Sequence, residues 1–588
     1  MEKKVNLEKN LDRISDLPEP IRRHILSFLP ADDAVRSSIL SSSWRGLWTE
    51  LPKLKLSEFQ LKFQFRSSLM VKKLPKGMND GARVKREAIL REREAFYGFL
   101  DRALESSSDF KKLDLYVFGY GLELESRLDH WLECVVRRRI KVLKLHFSSR
   151  EKPRYCLPKI VLGANSLTKL HLQKCDLNSS RFVDAQLPSL REVNLEYVYM
   201  DDGVMGSLAA VCPNLEVFDI ISCRGFTRFV VSGLNKLLTM EFETSADVIE
   251  LIEIEAPNLL EFFYLNDRNI DAQACAIKVL ACPKMRRLRL HGAQLGDDVF
   301  KQILENLFVL EKLELYRCNW LEHVSVSNQH LVQVEFSYCR RIKMVEIDAP
   351  NLKSFQYSNG ELMTIKPKGC ALKLTEASIY IKPYIRGDKW YVRFIKFLAK
   401  LRHCEKLQLI VGSEEEFLIP ESVRMESRPP LHGVKNLVVQ LRSSLLKYTQ
   451  VELVQALLWL ASCLESLSIN NDSNPVCKFL KIAKQPRETG EIADYFGADY
   501  CGAFGEEVSR VAGEEKFTYE KPVEGKKKCG CWKSLPINCW KHALTEVSLE
   551  NWGGDEDDTD LATFFSKARV DGKMVCFVKK VRPGWNRR

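Results

Sequence analysis

The sequence predicts an α/β protein in which a small helical module precedes a long array of stacked repeats. Two observations lead to this fold class. An apolar pattern recurs nine times between residues 167 and 357, and three short apolar stripes with helical spacing lie between residues 16 and 48. The length of 588 residues suits such an array with attached segments, since single domains average about 150 residues.

Composition and charge narrow the class of protein. The apolar fraction is 45%, ordinary for a globular chain, and no apolar run approaches the ~18 residues of a membrane span, so no membrane association is predicted. The net charge of +11 is spread along the chain, and nucleic-acid binding is not predicted from it. The first ten residues are charged and lack the apolar stretch of a secretory signal, so we expect a nuclear or cytoplasmic location with reduced thiols.

The repeating unit has the pattern L-x-x-L-x-L with apolar substitutes. Successive units begin 21 to 26 residues apart, which is the range of leucine-rich repeats. The second and third apolar positions share one face of a strand, and only stacking against neighbouring units buries that face. The residues at these two positions are Leu170/Leu172, Val193/Leu195, Phe218/Ile220, Met240/Phe242, Phe262/Tyr264, Leu288/Leu290, Leu313/Leu315, Val334/Phe336 and Phe355/Tyr357.

Four cysteines occupy one position of the repeat, three residues after the third apolar residue. They are Cys175, Cys223, Cys318 and Cys339. Catalytic or metal-binding thiols would not be spaced at the period of a repeat, whereas small buried residues would be. We therefore predict that these four thiols are shielded parts of the core.

The stretch between residues 16 and 48 predicts three short helices. Ile21, Ile25 and Phe28 recur at helical spacing in the first helix, and Trp44 lies in the third. So small a module cannot bury its apolar residues alone. It is therefore either a capping part of a larger fold or a surface that completes its core with a partner.

The same stretch resembles an F-box. The runs that carry the resemblance are LPEPIRRHILSFLP from Leu17, DAVRSSILS from Asp33 and WRGLW from Trp44. The chain is similar to plant F-box proteins that continue into leucine-rich repeats and an FBD-type C-terminal region. This resemblance implies a module that docks on a Skp-type adaptor and, through it, on a cullin-RING ubiquitin ligase. The expected adaptor surface consists of Leu17, Pro18, Ile21, Ile25, Leu29, Val35, Leu40, Trp44 and Leu47. Before the tryptophan the family usually carries Lys-Arg or Lys-Lys, and this chain carries Ser42-Ser43.

Four regions follow from the pattern and the resemblance together. We predict an F-box over 12–56, a basic linker with a lead-in helix over 57–111, the leucine-rich-repeat array over 112–415 and an FBD-like C-terminal region over 416–588. Within the last region, the Gly-, Glu- and Lys-rich stretch 484–530 is expected to be a mobile excursion.

The sequence contains no motif that indicates catalysis. It has no glycine-rich phosphate loop with a following Lys-Ser/Thr, no His-Glu-x-x-His and no nucleophile elbow. A cluster near the C-terminus has zinc-ligand types but atypical spacing: Cys529, Cys531, Cys539 and His542. We therefore predict a non-catalytic subunit without catalytic residue, metal or cofactor.

Three functions remain open at this point. The first is the substrate-recognition subunit of a Skp-cullin-F-box ubiquitin ligase, whose repeats bind a target protein that the sequence does not identify. The second is a small-molecule-sensing F-box receptor, for which the candidate basic cluster is Lys382, Arg386, Lys389 and Arg393. The third is an F-box-like scaffold that engages no ligase, which is suggested by Ser42-Ser43.

Overall fold

A computed structural model gives the fold of the protein. It describes residues 14–29, 41–44, 53–57, 111–117, 122–148, 154–244, 249–266, 275–368, 374–383, 387–442 and 449–471, most positions of 91–105, and Ser37 and Leu47. Beyond residue 471 it describes the backbone of several strands and part of a helix at 560–565. The chain divides into two compact units, residues 1–285 and 286–588.

The described helices are short. In the first unit they are Glu19–Ser27 (α1), Glu125–Arg137 (α2), Lys159–Leu162 (α3) and Val204–Val211 (α4). In the second unit they are Asp297–Glu305 (α5), Asp388–Leu398 (α6), Glu421–Glu426 (α7) and Gln450–Leu460 (α8). The described residues between 91 and 105 are also helical.

The first unit is built on a parallel sheet. Its described strands are Lys53–Ser57 (β1), Lys112–Val117 (β2), Val142–Phe147 (β3), Lys169–Gln173 (β4), Asp176–Leu177 (β5), Glu192–Glu196 (β6), Tyr199–Met200 (β7), Val217–Ile221 (β8), Arg228–Val231 (β9), Thr239–Thr244 (β10), Leu251–Glu255 (β11), Glu261–Asn266 (β12) and Ala276–Leu280 (β13). Strands β1, β2, β3, β4, β6, β8, β10 and β12 pair in parallel in that order. Strands β9, β11 and β13 form a second parallel sheet.

The second unit repeats this arrangement. Its strands up to residue 471 are Arg287–His291 (β14), Lys312–Tyr316 (β15), His323–Ser327 (β16), Gln333–Ser337 (β17), Met344–Asp348 (β18), Ser354–Asn359 (β19), Thr364–Pro367 (β20), Glu376–Ile381 (β21), Lys406–Val411 (β22), Asn436–Leu441 (β23) and Ser466–Asn471 (β24). Strands β14, β15, β17, β19, β21, β22, β23 and β24 pair in parallel. Strands β16, β18 and β20 form the second sheet.

Antiparallel strands follow this parallel ladder. They are Asn474–Lys484 (β25), Ser509–Val511 (β26), Glu514–Tyr519 (β27), Leu544–Glu550 (β28) and Val575–Lys580 (β29). Strand β25 pairs with β24 and with β28, and β27 pairs with β26 and with β29.

The strand register confirms the predicted repeat. In the second unit Leu313 lies opposite Leu288 on one side and Val334 on the other, so second apolar positions stack on second apolar positions. The first unit shows the same alignment at Val193, which lies opposite Leu170 and Phe218. All nine predicted second positions are at most 3% exposed. The chain is therefore an α/β protein with a leucine-rich-repeat solenoid after its N-terminal module.

A left-handed residue ends most of the described repeat strands. Its amide donates to the carbonyl at the end of the next strand, as Lys174 does to Glu196 and Arg317 does to Ser337, each at 2.9 Å. A non-glycine residue in this conformation costs about 1–2 kcal/mol, so the turn holds it there against its own preference. Residues of this kind with φ between 51° and 58° are Lys174, Tyr197, Ser222, Arg317 and Tyr338.

In four repeats the residue directly after the left-handed one is a predicted cysteine. Cys175, Cys223, Cys318 and Cys339 are at most 2% exposed, which confirms that they are core residues. The thiol of Cys223 donates to the carbonyl oxygen of Leu195 at 3.2 Å, and that of Cys318 donates to Leu290 at 3.1 Å. Each acceptor is the third apolar residue of the preceding unit, so the thiol joins two repeats.

The lead-in helix is anchored to α2. Phe96 and Leu100 are buried, and the Asp101 carboxylate accepts hydrogen bonds from Arg127 and from the indole of Trp131, each at 2.7 Å. The Asp101 carboxylate thus binds two side chains of α2, a guanidinium and an indole. These bonds fix how the lead-in helix packs against α2.

The strand pairing bears on the predicted domain boundaries, which stay predictions. All but the last residue of strand β1 falls within the predicted F-box region, yet Leu54 lies opposite Leu113 of the array. The parallel ladder also continues past residue 415 through β23 and β24. In the predicted excursion the structure describes β26 and β27, while the rest of 485–530 and the cluster Cys529, Cys531, Cys539 and His542 lie outside the described residues.

The mutation Leu313→Ala is expected to lower the free energy of unfolding by about 2–5 kcal/mol, because it leaves a cavity at a fully buried position. The unfolding transition is expected to broaden, since a weakened repeat affects mainly its neighbours. Denaturant titration followed by circular dichroism measures both effects. The control Val332→Ala trims an exposed side chain and is expected to change stability by less than about 0.5 kcal/mol. Wild-type stability of Leu313→Ala would contradict the repeat assignment.

The thiols of Cys223 and Cys339 are expected to resist alkylation by iodoacetamide in the native protein. Burial raises the pKa of Cys223 to about 12 and raises that of Cys339 as well, so reactive thiolate stays scarce at pH 8 and at pH 9. Peptide mass spectrometry after timed labelling gives the rates. The half-buried Cys134 is the control and is expected to react first. Equal rates for Cys223 and Cys134 would show that the repeat position is open to solvent.

Candidate protein-binding surfaces

Helix α1 has a packed side and an open side. It begins directly after Pro18 and carries Pro20 in its first turn, where the missing amide hydrogen of proline costs nothing. Leu26 is fully buried, whereas Ile21 and Ile25 are 47% and 37% exposed. The apolar stripe that the sequence predicts is therefore present, but it faces away from the core that the module builds for itself.

The packed side of α1 contacts the tryptophan segment. Leu26 forms a buried cluster with Trp44 and Leu47. Trp44 and Leu47 thus lie in the core of the module in this chain, and their expected contact with the adaptor stays a prediction. The physical reason is that tryptophan has the largest apolar surface to bury, and a short module gains most by enclosing it. Sequence reasoning missed Leu26, which lies one residue beyond the stripe.

Hydrogen bonds join α1 to the segment before the tryptophan. The Arg22 Nε donates to the carbonyl of Leu17 at 2.9 Å, and its Nη1 donates to the carbonyl of Ser43. The Ser41 hydroxyl lies 2.8 Å from the hydroxyls of Ser15 and Ser43. The serine that stands where the family usually has a basic residue is thus bonded inside the module.

The open side of the module is an apolar surface. Pro18 is exposed and Leu17 is half-buried, while the predicted contacts Val35 and Leu40 lie outside the described residues. Contiguous exposed apolar side chains on a small module are typical of an interaction site. We call this surface the open face; its exposed apolar residues are Ile14, Ile21, Ile25, Phe28 and Leu29.

In the first unit, polar side chains line the strand face opposite the buried residues. The His146 Nε2 lies 3.2 Å from Asp114 Oδ1, and its Nδ1 lies 3.3 Å from Gln173 Oε1. The His171 Nε2 lies 3.5 Å from Glu196 Oε1. Burial lowers the pKa of His171, so this ring is neutral at pH 7 and the contact is not an ion pair. Polar side chains of neighbouring strands therefore lie within about 3.5 Å of each other across this face.

In the second unit, aromatic rings stand at the ends of the strands. The ring centroids of Tyr316 and Tyr338 lie 5.4 Å apart, and those of Tyr338 and Tyr380 lie 6.5 Å apart. The guanidinium of Arg317 lies 5.2 Å from the Tyr316 centroid, and that of Arg442 lies 4.5 Å from the Tyr380 centroid. We call these five residues the tyrosine row. Tyrosine and arginine are the residue types that dominate interface energies, and the sequence pattern did not single them out.

The described residues hold no group of three or more His, Cys, Asp or Glu side chains that could bind a metal ion. In the same part of the chain no helix has the length and apolar content to cross a membrane. Of the predicted basic cluster, Lys389 is exposed on α6 and Arg393 donates to the carbonyl of Leu362 at 2.8 Å. Lys382 is exposed, and Arg386 lies outside the described residues.

The fold and the open face define a leucine-rich-repeat protein that carries a helical interaction module. Residues 14–56 match the F-box domain family. Residues 104–282 and 268–493 match the family described as At1g61320/AtMIF1, LRR domain.

The chain is similar to F-box proteins of Arabidopsis thaliana. F-box/FBD/LRR-repeat protein At1g78750 is 26% identical over 431 residues, which cover 67% of this chain and 88% of the relative. Putative FBD-associated F-box protein At5g56410 is 30% identical over 305 residues, which cover 50% of this chain and 56% of the relative. F-box/FBD/LRR-repeat protein At2g26030 is 29% identical over 278 residues, which cover 45% of this chain and 55% of the relative. The chain therefore belongs to the matched leucine-rich-repeat family and carries an F-box domain.

Trp44→Ala is expected to destabilise the module strongly, and Ile25→Ser is expected to leave its stability nearly unchanged. The first removes a buried ring and is expected to destabilise the module by about 3–5 kcal/mol, whereas the second changes an exposed side chain and is expected to cost less than about 0.5 kcal/mol. Hydrogen exchange of the amides in residues 19–27 reads the module separately from the array. Loss of protection in Ile25→Ser equal to that in Trp44→Ala would contradict the division of α1 into two sides.

Proposed function

We propose that this chain is the substrate-recognition subunit of a Skp-cullin-F-box ubiquitin ligase. The N-terminal module binds a Skp-type adaptor, and the repeats bind a target protein that becomes ubiquitylated. The observation that carries the proposal is the open face: Ile21 and Ile25 on α1, and Phe28 directly after it, are exposed, while the other side of the helix is packed in the module. Membership of the F-box family supports an adaptor as the partner of this face.

The spacing of the open face suits a groove on a partner. Ile21, Ile25 and Phe28 lie at i, i+4 and i+7, which is the pattern of anchors with which an amphipathic helix enters an apolar groove. Their burial contributes about 25 cal/mol for each Å² of apolar surface removed from water. Phe28, which is 75% exposed, has the most to gain from such a contact.

The repeats hold the target so that ubiquitin transfer proceeds by proximity. Other subunits of the ligase perform the chemistry, and no catalytic step is assigned to this chain. We propose the tyrosine row as the surface that contacts the target, because neighbouring aromatic rings held by arginines form strong contacts without rearrangement. The assembly is proposed to work in the nucleus or the cytoplasm, which imaging of a fluorescent fusion tests.

Two other functions differ from this proposal in what they require. A scaffold without ligase engagement would not bind an adaptor, and Ser42-Ser43 was the reason to consider it. The bonds of Ser43 to Ser41 and Arg22 support an assembled module at that point, which favours docking. A small-molecule receptor would capture its target only with ligand present, so capture with purified components distinguishes it.

The double variant Ile21→Ser/Ile25→Ser is expected to lose capture of a Skp-type adaptor. Removing two anchors of about 2 kcal/mol each amounts to a several-hundred-fold loss of affinity. Pull-down and calorimetry with the purified adaptor measure it. The matched control is Val183→Ser, which makes the same kind of change at an exposed position of the array and is expected to bind the adaptor normally.

The same variant separates adaptor binding from target binding. Proteins captured under proteasome inhibition are expected to be the same for the variant and the intact chain, because the array has its own core. The target is then expected to accumulate without ubiquitylation. If the intact chain captures no Skp-type adaptor, or the variant captures it equally well, the ligase proposal fails and the scaffold function replaces it.

A further inference from the structure

A hollow in the second unit collects basic side chains. It has a volume of about 470 Å³ and is formed by β20 with the residues before it and by the end of α6 with the turn that follows. Twelve residues line it. Four of them are cationic, namely Arg393, Lys396, Lys400 and Arg402, and none is acidic. A concave surface with one sign of charge attracts ions of the opposite sign.

The spacing along the chain explains how these side chains meet. Arg393, Lys396 and Lys400 follow one another at intervals of three and four residues, which places them on one side of α6 and its extension. Cations near the end of a helix also complement its dipole, a contribution of about 0.3–1 kcal/mol each. That effect accounts for the two lysines, but it does not account for Arg402 and His403, which line the same space from the turn beyond the helix.

The cations of the hollow have no carboxylate partner among the described residues. None of the ion pairs found there includes Arg393, Lys396, Lys400 or Arg402. Arg393 donates to the Leu362 carbonyl at 2.8 Å, and the Nε of Arg402 donates to Nε2 of His403 at 3.0 Å. These two bonds orient the guanidinium groups at the rim without neutralising them.

A hollow in the first unit also contains basic side chains, but one of them has a carboxylate partner. It has a volume of about 380 Å³ and is lined in part by Arg191 and Lys236. Arg191 forms an ion pair with Glu216 at 3.0 Å, and Lys236 donates to Asn214 at 2.6 Å, and both partners line the same hollow. A carboxylate within this hollow thus neutralises Arg191, and Lys236 is hydrogen-bonded to a neutral amide. The hollow beside α6 lacks this compensation, and an anionic ligand would supply it.

We propose that the hollow beside α6 binds the phosphate group of a ligand that also has a small apolar part. A phosphate carries nearly two negative charges and accepts several hydrogen bonds, which suits two lysines and the fork of Arg402. Leu362, Ile365 and Phe397 line the same hollow and receive the apolar part. The volume lies in the ordinary range for small-ligand sites. This proposal does not depend on adaptor docking, so either can fail without the other.

The test is calorimetric titration of the full chain with phenyl phosphate, inorganic phosphate and phenol. Phenyl phosphate is expected to bind saturably and more tightly than the other two probes. Lys396→Gln/Lys400→Gln is expected to bind it at least tenfold more weakly. The control Lys389→Gln makes the same kind of change once, on α6 at an exposed position outside the hollow, and is expected to stay within twofold of the intact chain.

A second variant covers the case in which loss of the two lysines unfolds α6. Arg402→Gln removes a cation of the turn and leaves the helix unchanged, and it is expected to weaken binding of phenyl phosphate while melting like the intact chain. A peptide with a central phosphotyrosine identifies the source of the ligand: binding tenfold tighter than phenyl phosphate indicates a protein segment, and equal binding indicates a free small molecule. Absence of saturable binding, or an equal loss in Lys389→Gln, would overturn the proposal.

Discussion

The rest of the structure depends on the parallel, in-register pairing of each repeat strand with the next. Leu313 opposite Leu288 and Val334 is one instance, and a shift of one residue would turn every second and third apolar side chain to the polar face. The turns after the strands secure this register. The left-handed residue bonds forward to the next strand and the cysteine thiol bonds back to the previous one, as Arg317 and Cys318 do in succession. Neither bond forms if the strands slip.

The element on the other side of each repeat, a helix or a second strand, varies with the length of the repeat. The two 25-residue units begin at Leu190 and at Met285, and they carry the helices α4 and α5. The four units of 21 or 22 residues carry the strands β9, β11, β16 and β18 in the same place. A helix rises about 1.5 Å per residue and a strand about 3.3 Å, so crossing the same distance takes a helix roughly four more residues. In these six units the longer period therefore accompanies a helix. The 26-residue unit from Leu259 carries strand β13, and part of it lies outside the described residues.

The sequence predicted the array better than the module, for a physical reason. In a repeat array each unit can be checked against its neighbours. Phe218, Met240 and Phe262 occupy equivalent positions, so a wrongly assigned unit would break the pattern. A single helix offers no such check. Its apolar stripe indicates a face that is buried in its own core or in a partner. Helix α1 buries Leu26 in the core of the module and leaves Ile25 exposed, where we propose that the adaptor binds. The tyrosine row and the hollow were not predicted as sites because their residues come from separate repeats and meet only after stacking.

In a solenoid, different repeats form different surfaces along the chain. Each repeat contacts mainly its neighbours, so a change in one repeat alters one surface and leaves distant ones intact. The tyrosine row uses strand ends, while the hollow beside α6 uses residues of the second sheet and of a helix. Charge can therefore change at Lys396 without altering the rings of Tyr316 and Tyr338. New binding properties can arise on such a frame one repeat at a time, provided that the buried second and third positions keep their register.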